Sequence, residues 1–159
     1  MRVAVLTISD AGARGERADS SGDAIVAWAA ERGYTLAGRT LVADDSVAIV
    51  RQLLAWCDGD AADLVLTTGG TGLSPRDNTP EATRAVLERD AVGIAERLRV
   101  ACLESFPRAA LSRGVAGSRH RTLIVNLPGS PGGVRDAFHA LVPVVDHAVS
   151  IVRGDKTDH

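Results

Sequence analysis

The segment from Leu64 to Thr83 holds the residue types that phosphate chemistry requires. Leu64 to Thr68 is a short apolar and β-branched run, which predicts a strand buried on both faces. The run continues into Gly69 to Gly72, where missing side chains allow backbone N–H groups to approach a phosphate closely. Neither the Lys-Ser/Thr ending of a P-loop nor the G-x-G-x-x-G fingerprint is present. The segment therefore predicts a ligand site at a strand end without assigning the ligand.

Two carboxylates, Asp77 and Glu81, follow the glycines. A carboxylate beside a phosphate site is best explained by a hard cation between them, and Mg²⁺ is the usual one. An Asx-turn is an equally good interpretation of Asp77. Thr79 and Pro80 are typical of the N-cap and first position of a helix, where the helix dipole stabilises Glu81. We therefore favour a structural role for Glu81, with ligand contact as the alternative.

The composition excludes several classes of protein. The 159 residues suffice for one domain with a well-buried core. A net charge of -2 and an aromatic content of 3% provide neither a basic footprint nor stacking platforms, so we expect no nucleic-acid partner. The sequence has no 18-residue apolar run and no signal peptide, so we expect no membrane association and a cytoplasmic location. Cys57 and Cys102 are isolated and fit ordinary core thiols.

Strand-like and helical runs alternate along the chain, which predicts a mostly parallel, Rossmann-like sheet flanked by helices. The predicted strands cover 3–8, 36–42, 64–68 and 122–126, and the predicted helices cover 20–32, 46–57, a segment from 79, 91–104, a short turn at 107–112 and a final helix after Ser130. Ser130 and Pro131 fit an N-cap and first position, and Pro143 is expected to kink or interrupt the last helix. Residues 1–153 would form one domain, followed by a flexible tail at 154–159.

Polar groups follow each predicted strand. They are Ser9-Asp10, Asp44-Asp45, Gly69 to Asp77, and Asn126 to Ser130. Any one of these groups is more often a turn or cap, but parallel strands bring their carboxyl ends to one edge of the sheet. We therefore expect a composite site there. The loop 11–22 is either a cover over this edge or a plain solvated loop.

A basic cluster is the remaining charged feature. It comprises Arg108, Arg113, Arg119, His120 and Arg121 beside glycines. Such a cluster either meets an anionic substrate or forms a solvated face. If it meets the substrate, Arg113 would add positive charge to the anion site.

These motifs together resemble the MogA/MoaB family of molybdenum cofactor biosynthesis. The likeness is carried by Thr68 to Gly72, Pro75 to Asp77, Thr79 to Thr83, Ser9-Asp10 with Asp19 and Ser21-Gly22, Val42 to Asp45, Leu111 to Arg113 with Ala116-Gly117, and Asn126 to Gly129. These blocks occur in order over nearly the full chain, which is far more specific than the glycine turn alone. Ala43 departs from the pattern, because many members have Pro there.

The resemblance implies a single three-layer α/β/α domain that binds molybdopterin, assembles as a homotrimer and works with a molybdotransferase partner. It also implies a molybdopterin adenylyltransferase, which transfers AMP from MgATP to the terminal phosphate of molybdopterin and releases pyrophosphate. Asp44 and Asp77 resemble the catalytic carboxylates. With the candidates from residue chemistry, the expected substrate-binding set is Ser9, Asp10, Gly69, Gly70, Thr71, Gly72, Glu81, Ser105, Ser112, Arg113, Asn126, Pro128, Gly129 and Ser130.

The residue chemistry is compatible with that activity. The phosphate nucleophile is already anionic at neutral pH, so no general base is needed, and positioning and charge neutralisation carry the rate. We therefore expect Asp44 and Asp77 to hold Mg²⁺ rather than to accept protons. A binding module of the same fold without turnover is the main alternative. A generic Rossmann-like nucleotide or methyl-donor protein is a weaker one, since the G-x-G-x-x-G fingerprint is missing.

Overall fold

The computed structural model describes residues 1–103 and 106–155. The strands are β1 (Arg2–Ile8), β2 (Thr35–Val42), β3 (Leu64–Thr68), β4 (Arg89–Asp90), β5 (Ala116–Arg119) and β6 (Thr122–Leu127). The helices are α1 (Asp10–Ala13), α2 (Ser20–Glu31), α3 (Ser46–Asp58), α4 (Thr79–Val86), α5 (Val92–Leu103) and α6 (Pro131–Arg153), with a 3₁₀ helix at Pro107–Leu111. No helix among the described residues combines the length and the apolar character needed to cross a membrane.

The six strands form one sheet in the order β2-β1-β3-β6-β5-β4. The first four are parallel, while β5 and β4 add an antiparallel edge. Helices α2, α5 and α6 cover one face, and helices α3 and α4 cover the other. This architecture confirms the expected three-layer, mostly parallel α/β fold.

The central strand β3 shows why the sheet has two cores. All five of its residues are buried. Leu64 and Leu66 pack with α2 and α6, whereas Val65 points to the opposite face and packs with α3. Successive side chains of a strand alternate between faces, so a continuous apolar run supplies both cores at once. The predicted strand is confirmed with its bounds.

The antiparallel edge was not predicted. The sequence of β5 is Ala-Gly-Ser-Arg, in which apolar and polar residues do not alternate as they do in a typical half-buried strand. Small residues occupy the positions that pair with β4, because β4 packs closely against them. A Cβ on Gly117 would lie 2.4 Å from the carbonyl oxygen of Arg89. His120 adopts φ 48° in the two-residue turn that joins β5 to β6. Arg119, His120 and Arg121 therefore lie at the end of β5 and in this turn, whereas Arg108 lies in the 3₁₀ helix and Arg113 just after it.

Two local predictions about helix α6 and helix α4 need correction. Pro143 does not interrupt α6, because a buried stripe that includes Phe138, Leu141 and Val145 holds the helix against the sheet on both sides of it. Thr79 is the first residue of α4 and not its N-cap, which is Asn78. The N-cap prediction at Ser130 is confirmed, since its hydroxyl accepts a hydrogen bond from the Gly133 N–H at 3.1 Å. Residues 156–159 of the predicted tail lie outside the described residues.

An ion cluster ties the last helix to the amino-terminal ends of the strands. The Asp63 carboxylate accepts hydrogen bonds from the Arg2 backbone N–H at 2.7 Å, from the Arg2 guanidinium at 2.7 and 3.0 Å, and from Arg153 of α6 at 2.6 Å. Burial raises the pKa of the Asp63 carboxyl, but the hydrogen bonds from Arg2 and the charge of Arg153 outweigh it and hold the pKa below its ordinary value. Asp63 is therefore a charged group that stabilises the fold at neutral pH.

We predict that Asp63→Asn lowers the free energy of unfolding by about 2 kcal/mol at pH 7, because charge-assisted hydrogen bonds are lost. A lowered pKa in the folded state contributes stability above the ordinary carboxyl pKa, and this contribution is lost as the pH falls through the folded value. Urea unfolding at pH 7 and at pH 3 should therefore show a smaller difference between variant and wild type at pH 3. Asp155→Asn, in an exposed pair 3.9 Å from Arg121, is the control and should change little. An equal effect of Asp63→Asn at both pH values would contradict the prediction.

Candidate active site

The carboxyl ends of β1, β2, β3 and β6 meet at one edge of the sheet, as the strand order requires. The backbone N–H of Asp44, after β2, donates to the Asp10 carboxylate after β1 at 3.0 Å. The Asp44 carboxylate in turn accepts the N–H of Asn78, which precedes α4, at 3.0 Å. A Cβ on Gly129, after β6, would lie 3.2 Å from the Cα of Gly69 after β3. The predicted convergence of the strand ends is confirmed.

The glycine turn passes through a gap that admits no side chain. Gly69 and Gly70 have φ values of 97° and 63°. A Cβ on Gly69 would lie 2.1 Å from the Ile8 carbonyl oxygen, and one on Gly70 would lie 2.4 Å from the Thr79 hydroxyl and 2.7 Å from the Asp44 carboxylate. The Thr79 hydroxyl donates to the Gly69 carbonyl at 2.9 Å, and the Thr79 N–H donates to the Gly70 carbonyl at 3.1 Å. Helix α4 therefore fixes the turn in place.

The two predicted catalytic carboxylates flank this turn. Asp44 is buried, and burial raises the pKa of its carboxyl. The hydrogen bond from the Asn78 N–H lowers this pKa, whereas the negative charges of Asp77 and Asp10 raise it. The net result is a pKa above the ordinary value of an aspartate. Asp77 accepts the Ser74 N–H at 3.1 Å. Two negative charges thus act on the buried Asp44 carboxyl at this edge, where a bound cation would be favourable.

Asp10 is balanced by its own cation. Arg76 donates to one oxygen of Asp10 at 2.7 and 3.1 Å, while the other oxygen accepts the Asp44 N–H. The hydrogen bond from Arg76 and the N–H of Asp44 lower the pKa of the Asp10 carboxyl. Arg76 was not among the predicted site residues, although it directly precedes Asp77 in the sequence. Its role emerges only when the fold brings β1 beside the loop after β3.

Two cavities meet at the candidate site. The smaller, of about 260 Å³, is polar and contains six predicted residues: Ser9, Asp44, Gly69, Gly70, Asp77 and Gly129. The larger, of about 580 Å³, contains seven: Thr71, Gly72, Ser112, Asn126, Pro128, Gly129 and Ser130. Gly129 lines both, so it lies at their boundary. Asp10, Glu81 and Arg113 line neither cavity, and Ser105 lies outside the described residues.

Asn126 organises the wall of the larger cavity from a buried position. Its amide nitrogen donates to the hydroxyls of Thr67 and Thr83 at 2.9 and 3.0 Å, and its oxygen accepts the Val115 N–H at 3.1 Å. These bonds link β3, α4 and the segment before β5, so Asn126 holds the wall as well as facing the cavity. Its position at the end of β6 was the signal that identified it.

The larger cavity is also lined by Arg99 and Phe106, which the sequence did not single out, and by Arg108 of the predicted basic cluster. Arg99 donates to the Gly114 carbonyl at 2.8 Å, and the guanidinium of Arg108 lies 4.9 Å from the ring centre of Phe106. All three side chains line the cavity. The predicted basic cluster is therefore divided: Arg108 lies at the cavity, whereas Arg119 pairs with Asp58 at 2.6 Å on another surface.

The loop 11–22 forms one wall of the smaller cavity. Asp19 lies there, where it caps α2 by accepting the Gly22 N–H at 2.9 Å, and its other oxygen accepts from the Thr7 hydroxyl at 3.0 Å and from Arg39 at 2.7 Å. This part of the loop is therefore tied to β1 and β2. The expectation of a plain solvated loop does not hold for Asp19 to Ser21, which face the cavity.

The donor set at the smaller cavity fits Mg²⁺ in one particular way. No group of three or more His, Cys, Asp or Glu side chains within residues 1–103 and 106–155 forms a ready metal site. Mg²⁺, however, usually takes one or two carboxylates and completes its shell with water and substrate phosphates. Asp44 and Asp77 beside an open glycine backbone match that pattern, so the metal would be held only together with a phosphate ligand.

A mostly parallel α/β domain with a glycine turn and carboxylates at its strand ends belongs to the class of small-molecule-binding α/β proteins. Residues 4–147 match the family described as a probable molybdopterin binding domain, and the chain belongs to this family.

Named relatives agree with this family. A protein of Helicobacter pylori named molybdopterin adenylyltransferase is 38% identical, over 98% of this chain and 89% of its own. The crystal structure of the molybdopterin biosynthesis enzyme MoaB of Thermus thermophilus superposes with a TM-score of 0.91, at 52% identity over 96% of both chains. The Mog protein of Mycobacterium ulcerans gives 0.89 at 41% identity, over 94% of this chain and 97% of that one. The resemblance read from the motifs is confirmed.

We predict that Gly70→Ala lowers the free energy of unfolding by about 2 kcal/mol or more, because a Cβ is strained at positive φ and meets Thr79 and Asp44. Gly93→Ala is the matched control, since a Cβ there meets no atom within 4 Å and the residue is helical. That substitution should be neutral or stabilising by up to about 1 kcal/mol. Urea unfolding followed by circular dichroism measures both, and equal effects of the two variants would contradict the assignment of strain to the turn.

Proposed function

We propose that this protein is a molybdopterin adenylyltransferase that transfers AMP from ATP to the terminal phosphate of molybdopterin. The observation that carries the proposal is the meeting of two cavities at Gly129, with Asp44, Asp77 and the glycine turn on the smaller side. A two-substrate transfer needs two adjoining sites whose reactive groups meet at a boundary. The name of the Helicobacter pylori relative supports the same activity.

The chemistry requires positioning rather than proton transfer. An oxygen of the molybdopterin phosphate forms a bond to the α-phosphorus of ATP, and the bond from that phosphorus to the pyrophosphate oxygen breaks. Pyrophosphate departs with the electron pair, and no proton has to move in this step. Charge neutralisation is therefore the main demand on the site. Mg²⁺, held by Asp44 and Asp77 together with phosphate oxygens, would supply part of it.

The residues divide between the two cavities in this proposal. On the smaller side, the backbone N–H groups of the turn would hold phosphate, with Ser9 beside them. On the larger side, molybdopterin would be held by the polar groups of Thr71, Gly72, Ser112, Asn126, Pro128, Gly129 and Ser130. Asp10 would act through its pairing with Arg76 and the Asp44 N–H. The non-catalytic binding module is the less favoured alternative, because both carboxylates are present beside the turn.

The assembly and location belong to the same proposal. Three apolar side chains of α5 are 37–64% exposed: Val92, Val100 and Leu103. Large apolar side chains exposed along one helix are a feature of contacts between chains. We propose that α5 contributes to the contacts of a homotrimer, and that the adenylylated product passes to a molybdotransferase partner. The predicted cytoplasmic location stays a prediction.

Incubation of the wild-type protein with molybdopterin, ATP and Mg²⁺ should yield adenylylated molybdopterin and pyrophosphate, which chromatography and mass spectrometry detect. Asp77→Asn should lower the rate of transfer by about 100-fold or more, because one charged group that organises the phosphates is lost. Asp90→Asn, on the exposed edge strand β4, is the control and should keep the wild-type rate. A near wild-type rate for Asp77→Asn over a range of Mg²⁺ concentrations would exclude the metal role, and tight pterin binding without product would support the binding module.

Light scattering should give the wild-type mass of three 16.6 kDa chains. Val100→Glu places a charge on a side chain that is 64% exposed, so it should shift the mass to that of one chain without unfolding the protein. Val47→Glu, 63% exposed on α3, is the matched control and should remain trimeric. A monomeric wild-type protein would refute the trimer.

A further inference from the structure

Arg113 was expected to add charge to the substrate site, but its contacts lead elsewhere. Its guanidinium donates to the Gly72 carbonyl at 2.7 Å and to the Asp77 carbonyl at 2.6 Å, and it also pairs with the Glu81 carboxylate. Its backbone N–H donates to the Thr71 carbonyl at 2.8 Å. Arg113 lines neither of the two cavities that meet at Gly129, but it lines a third cavity of about 420 Å³ together with Arg84 of α4. Arg113 therefore contacts the protein backbone around the site from outside it.

We propose that Arg113 is a positioning residue, which sets the place of the Asp77 carboxylate by clamping both ends of the loop that carries it. The expected effect on catalysis rests on the proposed function, whereas the expected effect on the loop does not. Gly72 and Asp77 are the first and last residues of the loop, and one planar guanidinium donates to the carbonyls of both. The planar guanidinium of Arg holds several N–H donors in a fixed geometry and can bind two carbonyls at once, whereas the ammonium group of Lys has no such fixed arrangement.

Apart from Arg113, the loop is held to the rest of the domain by the pair of Arg76 with Asp10 and by the Asn78 N–H that donates to Asp44. Residues 73–76 are all exposed, and Leu73 is 65% exposed, so no buried apolar side chain anchors the segment. Its own hydrogen bonds are short-range: the Asp77 N–H donates to the Ser74 carbonyl at 2.9 Å, and the Ser74 N–H donates to the Asp77 carboxylate. Such bonds keep the shape of the loop without fixing its position. Arg113 is the side chain that joins both ends of the loop to one group outside it.

The position of the loop matters because it relates the two catalytic carboxylates. Asn78 follows Asp77 directly, and its N–H donates to the Asp44 carboxylate at 3.0 Å. On the other side, Arg76 reaches the Asp10 carboxylate, which accepts the Asp44 N–H. A shift at Asp77 would therefore change its distance from Asp44 and disturb both links. Arg113 acts on the reaction through this distance and not through contact with a substrate.

Glu81 has a matching role on helix α4. Burial raises the pKa of the Glu81 carboxyl, but the hydrogen bond from Arg113 and the first-turn backbone outweigh it, and the net pKa is lowered. The Glu81 side chain is 52% exposed, so Glu81 lies at the surface, where its carboxylate orients the Arg113 guanidinium. The favoured structural role of Glu81 thus gains a specific contact. We expect its removal to act in the same direction as a change at Arg113, and more weakly.

The discriminating variant is Arg113→Lys, which keeps the positive charge and loses the fork. We expect kcat to fall about tenfold or more because the carboxylate is misplaced, with the KM values for ATP and molybdopterin changed less than about threefold. In the same protein, amide hydrogen exchange of residues 73–78 should accelerate about tenfold or more, while the strands keep their protection. Glu81→Gln should lower kcat and accelerate the exchange of residues 73–78 to a smaller extent. This variant tests the proposal even if Arg113→Lys folds poorly. Arg84→Lys, exposed on α4 and lining the same third cavity as Arg113, is the control and should leave both readouts unchanged.

Each other outcome overturns the proposal. Raised KM values with unchanged kcat and unchanged exchange would make Arg113 a substrate contact. Wild-type kinetics and exchange in both variants would remove any role in positioning. If the wild-type protein makes no adenylylated molybdopterin, the proposed function fails, while hydrogen exchange still decides whether Arg113 holds the loop.

Discussion

The site depends on the close approach of the Gly69-Gly70 backbone to three other parts of the chain. The Ile8 carbonyl, the Thr79 hydroxyl and the Asp44 carboxylate all lie where a Cβ on one of these glycines would be. Only residues without side chains allow the strands to bring these groups so near, and the positive φ values give the same restriction. The turn thereby determines how far the loop after β2 stands from the start of α4. The two cavities and the spacing of the carboxylates follow from that distance.

The charges around this turn are arranged in two layers. The inner layer is negative, because Asp44 and Asp77 face the smaller cavity and the charge of Asp77 raises the pKa of the Asp44 carboxyl. The outer layer is positive, because Arg76 and Arg113 hold the backbone and the Asp10 carboxylate from outside. The hydrogen bonds of these two arginines go to the Asp10 carboxylate, to backbone carbonyls and to Glu81, and not to the carboxylates of Asp44 or Asp77. The inner carboxylates therefore remain available to a cation that arrives with a phosphate ligand, as the proposed transfer would require.

How much the sequence predicted depends on whether a residue's role is local. Leu64 to Thr68 could be assigned to a buried strand because its own side chains dictate burial on both faces. The strand at Ala116–Arg119 could not, since its pairing is set by neighbours and its small side chains carry no period. The same limit applies to Arg113. Its type suggested an anion contact, and only the fold shows that its donors are used by the carbonyls of Gly72 and Asp77.

Thr79 illustrates how one side chain serves two functions that the sequence alone cannot separate. Its place before Pro80 predicted a helix cap, yet its fully buried hydroxyl donates to the Gly69 carbonyl instead, and Asn78 takes the cap position. The hydrogen bond from Thr79 to Gly69 therefore holds the glycine turn against the start of helix α4. Because the turn offers mainly backbone groups to a phosphate, its precision must come from such neighbours. The proposed phosphate site would therefore depend on the packing of α4 as much as on the glycines of the turn.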